Sequence, residues 1–250
     1  MVVAANGQAP LLLDLGTGIS SIASVGAYAK PGEGFRGTAL VTHLHYDHVL
    51  GLPFFTPVNH PDARLDVFGP RQPDGSLADA FAALVRPPYF PIHLGDLRGD
   101  ICFRDLSAES FSVGSFRVTS RLVPHVGPTL GYRIEFDGKV LCYISDHQAP
   151  PDLHSIADVV LELCDGADLL IHDAQYTVSE FRAKPDWGHS TAGYALHVAR
   201  EAGVKRLCLY HHDPSHIDDD IDRMLEAVRS PADAAGIAVV AAAENLAVTL

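Results

Sequence analysis

Between positions 41 and 51 the chain reads VTHLHYDHVLG, with three histidines and an aspartate at positions 43 to 48. Imidazole and carboxylate are the side chains that divalent zinc, iron or manganese accept as ligands. In an extended segment residues two apart point the same way, so His43 and His45 can share one ion. Asp47 and His48 follow where the chain must bend, and they face a neighbouring position. Histidines also occur in polar loops and at helix caps, but ligand-type residues at this spacing, at the end of an apolar run, point to a metal site.

The element that must deliver these side chains is GTALVTH (37–43), a strand whose C-terminal end carries the cluster. Upstream, LLLDLGTG (11–18) reads as a strand ending in a glycine turn. SLADAFAALV (76–85) has helical composition, while 53–61 and 86–93, rich in proline and aromatics, read as ordered surface loops. A run of strands follows, SFSVGSFRVTSRLV and then LGYRIEFDGKVLCYISD, with Asp137-Gly138 as a hairpin turn. ADLLIHDA (167–174) is a buried strand. STAGYALHVAREAG (190–203) has a Ser/Thr start, helical spacing of Ala192, Ala195, Leu196 and Ala199, and a glycine stop. VKRLCLYHH is a strand, DDDIDRMLEAVRS a helix, and a last strand runs from Ile237. No linker or charge block marks a boundary, so residues 1–250 are expected to form a single domain.

Composition excludes several classes. The apolar runs, such as AVVAAA near the C-terminus, are far too short to cross a bilayer. The start, MVVAANGQAP, lacks the basic residues and apolar core of a signal peptide. A cytoplasmic protein with no membrane partner is expected. Cys102, Cys142, Cys164 and Cys208 stand singly in apolar contexts and read as buried free thiols in a reducing compartment. The formal charge of −13 opposes non-specific binding to nucleic acid.

The H-x-H-x-D-H pattern, with LLLDLGTG upstream, resembles the metallo-β-lactamase superfamily, and the later motifs keep that family's order over nearly the whole chain. The resemblance implies an α+β fold, a four-layered αββα sandwich with a mono- or dinuclear metal site at the sheet edges. It implies His125, from LVPHVGPTLGYRIE, as third ligand of a first ion, and Asp146, from YISDH, as the carboxylate bridging two ions. From LCLYHHDPSH it implies His211, ahead of its neighbour His212, as a ligand of the second. One ion would then have His43, His45, His125 and Asp146; the other would have Asp47, His48, His211 and Asp146. Asp14 is expected to hold the metal loop by hydrogen bonds, with no direct catalytic part. His60, His93, His147, His154, His172, His197 and His216 are left as surface or supporting residues. Relatives usually begin with one more strand, so either the sandwich lacks an edge strand or residue 1 is not the natural start. Either would expose a sheet edge and favour a homodimer.

Two such ions hold a hydroxide between them and polarise a substrate oxygen, since metal-bound water loses its proton near neutral pH. That suits phosphodiesters, lactones, thioesters and β-lactams alike. The bridging position is Asp146 with no cysteine nearby, unlike the β-lactam-hydrolysing branch that uses cysteine. WGHSTAGYALHVAREAGVKRLCLYHHDP resembles the H-S-T segment of ribonuclease Z and related phosphodiesterases. This implies that His189, with Asp47 and Asp173 one of the expected catalytic residues, protonates the leaving alkoxide, which is too basic to depart unaided. LLIHDAQYT resembles that family's H-E-A-T segment with Asp173 in place of Glu, which implies a dyad in which Asp173 orients His189.

In ribonuclease Z a long arm inserted between the third-ligand motif and the bridging aspartate grips tRNA, whereas His125 and Asp146 are only 21 residues apart. The expected partner is therefore a small phosphodiester, such as a cyclic nucleotide or other cyclic phosphate, and no large nucleic acid. In VRPPYFPIHLGD (85–96), Tyr89 and Phe90 lie between prolines that stiffen the loop and could stack on a base or sugar, unless they plug the sandwich edge. Trp187, beside His189, would wall the pocket. The expectation is a dinuclear metal-dependent phosphodiesterase acting through a metal-bridging hydroxide, with zinc first and manganese or iron as alternatives. A lactonase or other carbonyl-ester hydrolase on the same fold is the rival enzyme, with less need of His189. A non-catalytic, metal-stabilised binding module is the third reading.

Overall fold

The computed structural model describes residues 1–24 and 33–250. They fall into two compact units, residues 1–107 with 113–115, and residues 108–112 with 116–250.

The first unit is built on a five-stranded sheet in which β1 (Val2–Val3), β2 (Leu11–Leu13), β3 (Arg36–Leu40), β4 (Arg64–Pro70) and β5 (Asp100–Leu106) lie side by side in that order. A two-residue strand thus precedes the Leu-Leu-Leu run, paired antiparallel to it, while all later neighbours are parallel. Parallel strands need crossover connections, and three helices, α1 (Ile19–Ser24), α2 (Tyr46–Val49) and α3 (Leu77–Leu84), occupy them. α3 begins where Ser76 Oγ accepts from Asp79 N at 3.1 Å and Ser76 N donates to Asp79 Oδ2 at 3.0 Å, a reciprocal cap. Leu12, Leu15, Val41, Leu65, Val67 and Phe81 share the core of this unit.

The second unit carries a seven-stranded sheet: β6 (Ser110–Val113), β7 (Phe116–Leu122), β8 (Leu130–Phe136), β9 (Lys139–Ile144), β10 (Leu169–Asp173), β11 (Arg206–Tyr210) and β12 (Ala238–Ala241), in the order β12-β11-β10-β9-β8-β7-β6. β7, β8 and β9 are antiparallel, and β9 to β12 are parallel. At the tip of the β8–β9 hairpin Asp137 and Gly138 have φ of 49° and 72°, the left-handed pair that an Asp-Gly turn serves. Between the parallel strands run α4 (Asp158–Cys164), α5 (Val178–Ala183), α6 (Ala192–Glu201) and α7 (Asp218–Ala234). α6 starts at Thr191, whose hydroxyl accepts from Tyr194 N at 3.1 Å, and it buries the expected Ala192, Ala195, Leu196 and Ala199. α7 runs past Ser230 and through Pro231, four residues beyond the expected stop.

The α+β class holds. Among the described residues no helix is long and apolar enough to cross a membrane. One expectation about the cysteines fails: Cys142, Cys164 and Cys208 are buried, but Cys102 is exposed. It lies on β5, the edge strand of its sheet, whose outward positions alternate with inward ones.

Candidate metal and catalytic centre

In the first unit the parallel pairing of β2 with β3 sets Leu13 opposite Leu40, so the segments after both strands start together. Asp14 N donates to Leu40 O at 3.0 Å, and Asp14 turns through a left-handed backbone, φ 60°. Its buried carboxylate accepts from Thr42 N at 2.7 Å and from Thr42 Oγ1 at 3.0 Å, and it faces His48 Nδ1 at 2.9 Å. An ionised carboxylate only accepts, so the Nδ1 hydrogen of His48 goes to Asp14, which leaves Nε2 as the nitrogen a metal would take. Asp47 Oδ2 stands 3.1 Å from that Nε2. Thr42 Oγ1 is also 3.1 Å from His43 Nδ1. The His43 ring centroid lies 4.4 Å from that of His45 and 4.3 Å from that of His48. His43 and His48 are buried while His45 and Asp47 are exposed. The backbones supporting this cluster are in close contact: a Cβ on Gly16 would overlap Asp47 O, and one on Gly51 would overlap Gly16 O. The glycine turn and the histidine loop are therefore one packed body, and Asp14 is its pin.

In the second unit the parallel strands β9, β10 and β11 end in register, with Ile144 opposite His172 and Asp173 opposite Tyr210. Asp146, Asp173 and His211 follow at that one edge, the place where parallel sheets put their ligands. His211 has a left-handed φ of 59°, and its Nε2 is 3.4 Å from Asp146 Oδ1. Its neighbour His212 points elsewhere, with Nε2 3.2 Å from Ala242 O. Ligand atoms of Asp146, His189 and His211 all lie within 4.8 Å of one another. This is a His/Asp donor set of the kind that holds a divalent ion.

His189 has a second partner. Its Nδ1 is 2.8 Å from Asp173 Oδ2 and 3.8 Å from Asp146 Oδ1, so its hydrogen goes to Asp173. Asp173 is fully buried and immobilised by backbone amides: Gln175 N at 2.9 Å and Ser190 N at 3.2 Å on Oδ1, His147 N at 3.0 Å on Oδ2. The shorter Asp side chain therefore reaches the histidine. Tyr176 stands against the His189 ring, centroids 5.6 Å apart. Lys184 Nζ lies 4.7 Å above the Tyr176 ring and 5.1 Å from the ring of Trp187, which is itself exposed. Tyr89 and Phe90 belong to the first unit; Tyr89 is exposed and Phe90 packs edge-on against Phe54 at 5.8 Å.

Several supports were not evident beforehand. His125 Nδ1 donates to Gly188 O at 2.7 Å, which leaves Nε2 as the lone-pair nitrogen. Gly188 has φ 93°, and a Cβ there would lie 2.5 Å from the His125 ring. Gln148 Oε1 accepts from Gly188 N at 2.7 Å and fixes that strand of backbone. Gln175 Nε2 lies 2.8 Å from His211 Nδ1; an amide N–H only donates, so Nδ1 accepts there, and His211 would offer a lone pair on Nε2 only with the amide turned over. His147 and His172 form a buried pair, Nδ1 to Nε2 at 3.0 Å. Burial, with His172 beside it, pushes His147 from its ordinary 6.5 down to about 3, and burial likewise lowers His172. The glycine before His189 was the one readable signal among these.

Fold and donor set together define a metal-dependent hydrolase. A model of the beta-lactamase superfamily domain matches residues 29–212. The chain belongs to the metallo-β-lactamase superfamily, on its ribonuclease Z-like side. It is 30% identical over 248 residues to ribonuclease Z of Haloferax volcanii, covering 80% of this chain and 74% of that protein. The metallo-beta-lactamase fold protein YhfI of Bacillus subtilis superposes with a TM-score of 0.68 at 20% identity, covering 95% of this chain and 86% of that one. The short form of human tRNase Z superposes with a TM-score of 0.66 at 22% identity, covering 85% of each chain. The family implies divalent metal ions and the hydrolysis of phosphodiesters. The expectation that no large nucleic acid is involved is overturned, because the relatives that align along most of the chain are ribonucleases. It rested on the missing arm and on net charge, and neither excludes RNA: an arm is one grip among several, and net charge is a sum over the whole chain, whereas contact with RNA depends on the local field where the strand lies.

Proposed function

We propose that residues 1–250 act as one two-metal phosphodiesterase domain. His43, His45, His125 and Asp146 hold one divalent ion, Asp47, His48, His211 and Asp146 the other, with zinc first and manganese or iron next. This assignment is supported by the order of the motifs and by the Nδ1 contacts of His48 and His125, each of which sets an oxygen on Nδ1 and leaves Nε2 for a metal. Ions bound there would neutralise phosphate oxygens and bring the ionisation of water close to neutral pH.

The observation that carries the reaction type is the His189–Asp173 pair at 2.8 Å. Asp173, immobilised by three backbone N–H groups, fixes the orientation of the ring. The proton that His189 gives up is the one on Nε2, since Nδ1 stays with Asp173. Such an acid contributes about 10²–10⁴-fold where an alkoxide leaves. Once the proton has passed to the leaving oxygen, the neutral ring recovers one from solvent. A carbonyl ester with a good leaving group needs no such donor, which is why the pair favours a diesterase over a lactonase.

The short β8–β9 hairpin between His125 and Asp146 favours a small diester such as a cyclic phosphate. The relatives' designation as ribonucleases favours RNA as a second substrate. The deciding experiment is turnover of metal-reconstituted protein on 3′,5′- and 2′,3′-cyclic nucleotides, a precursor tRNA, bis-p-nitrophenyl phosphate and an acyl lactone, with His189→Ala alongside. Loss of unactivated diester cleavage in the variant is expected. Lactone turnover indifferent to His189, with every diester left intact, would overturn the proposal.

A further inference from the structure

A cavity of about 610 Å³ opens in the second unit beside His125, a size typical of small-molecule sites. Pro124, Pro150, Pro151 and Pro185 supply much of its wall and offer no N–H. The side-chain donors that reach it are already committed. Gln148 Nε2 donates to Ala149 O and Pro185 O, both at 2.8 Å. The Tyr194 hydroxyl donates to Ser155 O at 3.0 Å, and Ser155 Oγ to Asp152 Oδ2 at 2.5 Å. Among the described residues no lysine or arginine lines the cavity.

His147, which also lines it, offers an acceptor. His172 Nδ1 lies 2.7 Å from Asp173 O; a carbonyl only accepts, so His172 carries its hydrogen there and its Nε2 is an acceptor. The His147 Nδ1 at 3.0 Å must then be the donor. His147 Nε2 is left with a lone pair and no hydrogen-bond partner among the described residues, on a ring that borders the cavity. Asp186, on the exposed rim, adds a second acceptor. Two acceptors in a largely apolar wall, without a cation, do not receive phosphate; they receive hydroxyl groups. A cationic occupant would give up its hydration to a neutral imidazole and one solvent-screened carboxylate, a poor exchange.

We propose that this cavity binds the uncharged, hydroxyl-bearing alcohol part of the substrate, a sugar, with one hydroxyl donating to His147 Nε2. What the sugar is attached to rests on the phosphodiesterase function proposed above; the binding itself does not. The test is therefore made without turnover, by NMR titration of the metal-reconstituted protein with uridine, 2′,3′-dideoxyuridine and choline. Uridine is expected to bind about fivefold or more tightly than the dideoxy compound, the loss of one or two net hydrogen bonds. Ala157→Trp, which fills the cavity from the N-terminus of α4, is expected to abolish uridine binding. Equal affinity for the two nucleosides, no binding of either, or uridine binding untouched in a folded Ala157→Trp variant overturns the proposal, and choline binding more tightly than uridine overturns it in favour of a cation site. Should the variant not fold, the nucleoside contrast on the unaltered protein decides alone. Failure of diester turnover, measured separately, counts against the proposed function and leaves this contrast as it stands.

Discussion

Replacing Asp14 by Asn keeps the shape of the residue that pins the histidine loop and removes its charge. Asn tolerates the left-handed backbone at φ 60° as Asp does, so the turn itself is not newly strained. The carboxylate serves Thr42 N at 2.7 Å, Thr42 Oγ1 at 3.0 Å and His48 Nδ1 at 2.9 Å. An amide has one oxygen, so its NH₂ must face one of these groups. Turned toward His48, it drives the ring hydrogen onto Nε2, the nitrogen proposed as a ligand; turned toward Thr42, it opposes a buried backbone N–H. Loss of a supporting carboxylate lowers metal affinity by about 10–100-fold, or roughly 1.4–2.8 kcal/mol. Loss of a hydrogen bond to a buried charged group costs the metal-free fold about 1.5–3 kcal/mol. Chelator competition measures the first and denaturant unfolding of the metal-free protein the second. If stability falls while metal affinity stays that of the unaltered protein, Asp14 does not set the His48 tautomer and the argument fails.

Asp173→Asn should keep its metal content, since Asp173 is not a proposed ligand, yet lose about 10²–10⁴-fold in kcat on unactivated diesters; retained activity would remove the dyad. In Gly188→Ala the new Cβ meets the His125 ring at 2.5 Å in a left-handed backbone, so about 1–3 kcal/mol of stability should be lost together with metal, as read by unfolding and metal analysis. His147 is held neutral by burial at about 3, below its ordinary 6.5, so the unfolded chain binds the proton first. Stability of the metal-free protein should thus fall as pH drops from 6.5 toward 3, with a slope near 1.4 kcal/mol per pH unit from this group alone; a flat profile between pH 6.5 and 5 contradicts the buried pair. A thiol reagent should label Cys102 alone in the native protein and the other three cysteines only on unfolding, as peptide mapping would show.

Local pattern was enough wherever neighbours in sequence are neighbours in space. The histidine loop, the Asp-Gly hairpin, the capped helix before Glu201 and the buried strand ending at Asp173 follow from spacing, turn chemistry and hydrophobic period, and the structure has them. The exposure of Cys102 was misjudged because it depends on which side of an element meets solvent, and α7 continues through Pro231, a residue that lacks the helix N–H. Net charge misjudged the partner, being a property of the whole chain and not of a site. The tertiary structure alone decided the supports of the site. Asp14 meets Thr42 28 positions on, His147 meets His172 25 positions on, and Gly188 holds His125 across 63 positions. Parallel strands end side by side whatever the length of chain between them, so the partners that fix a tautomer come from different crossovers. No periodicity within one segment records such a pairing, because it is written only in the register of the sheet.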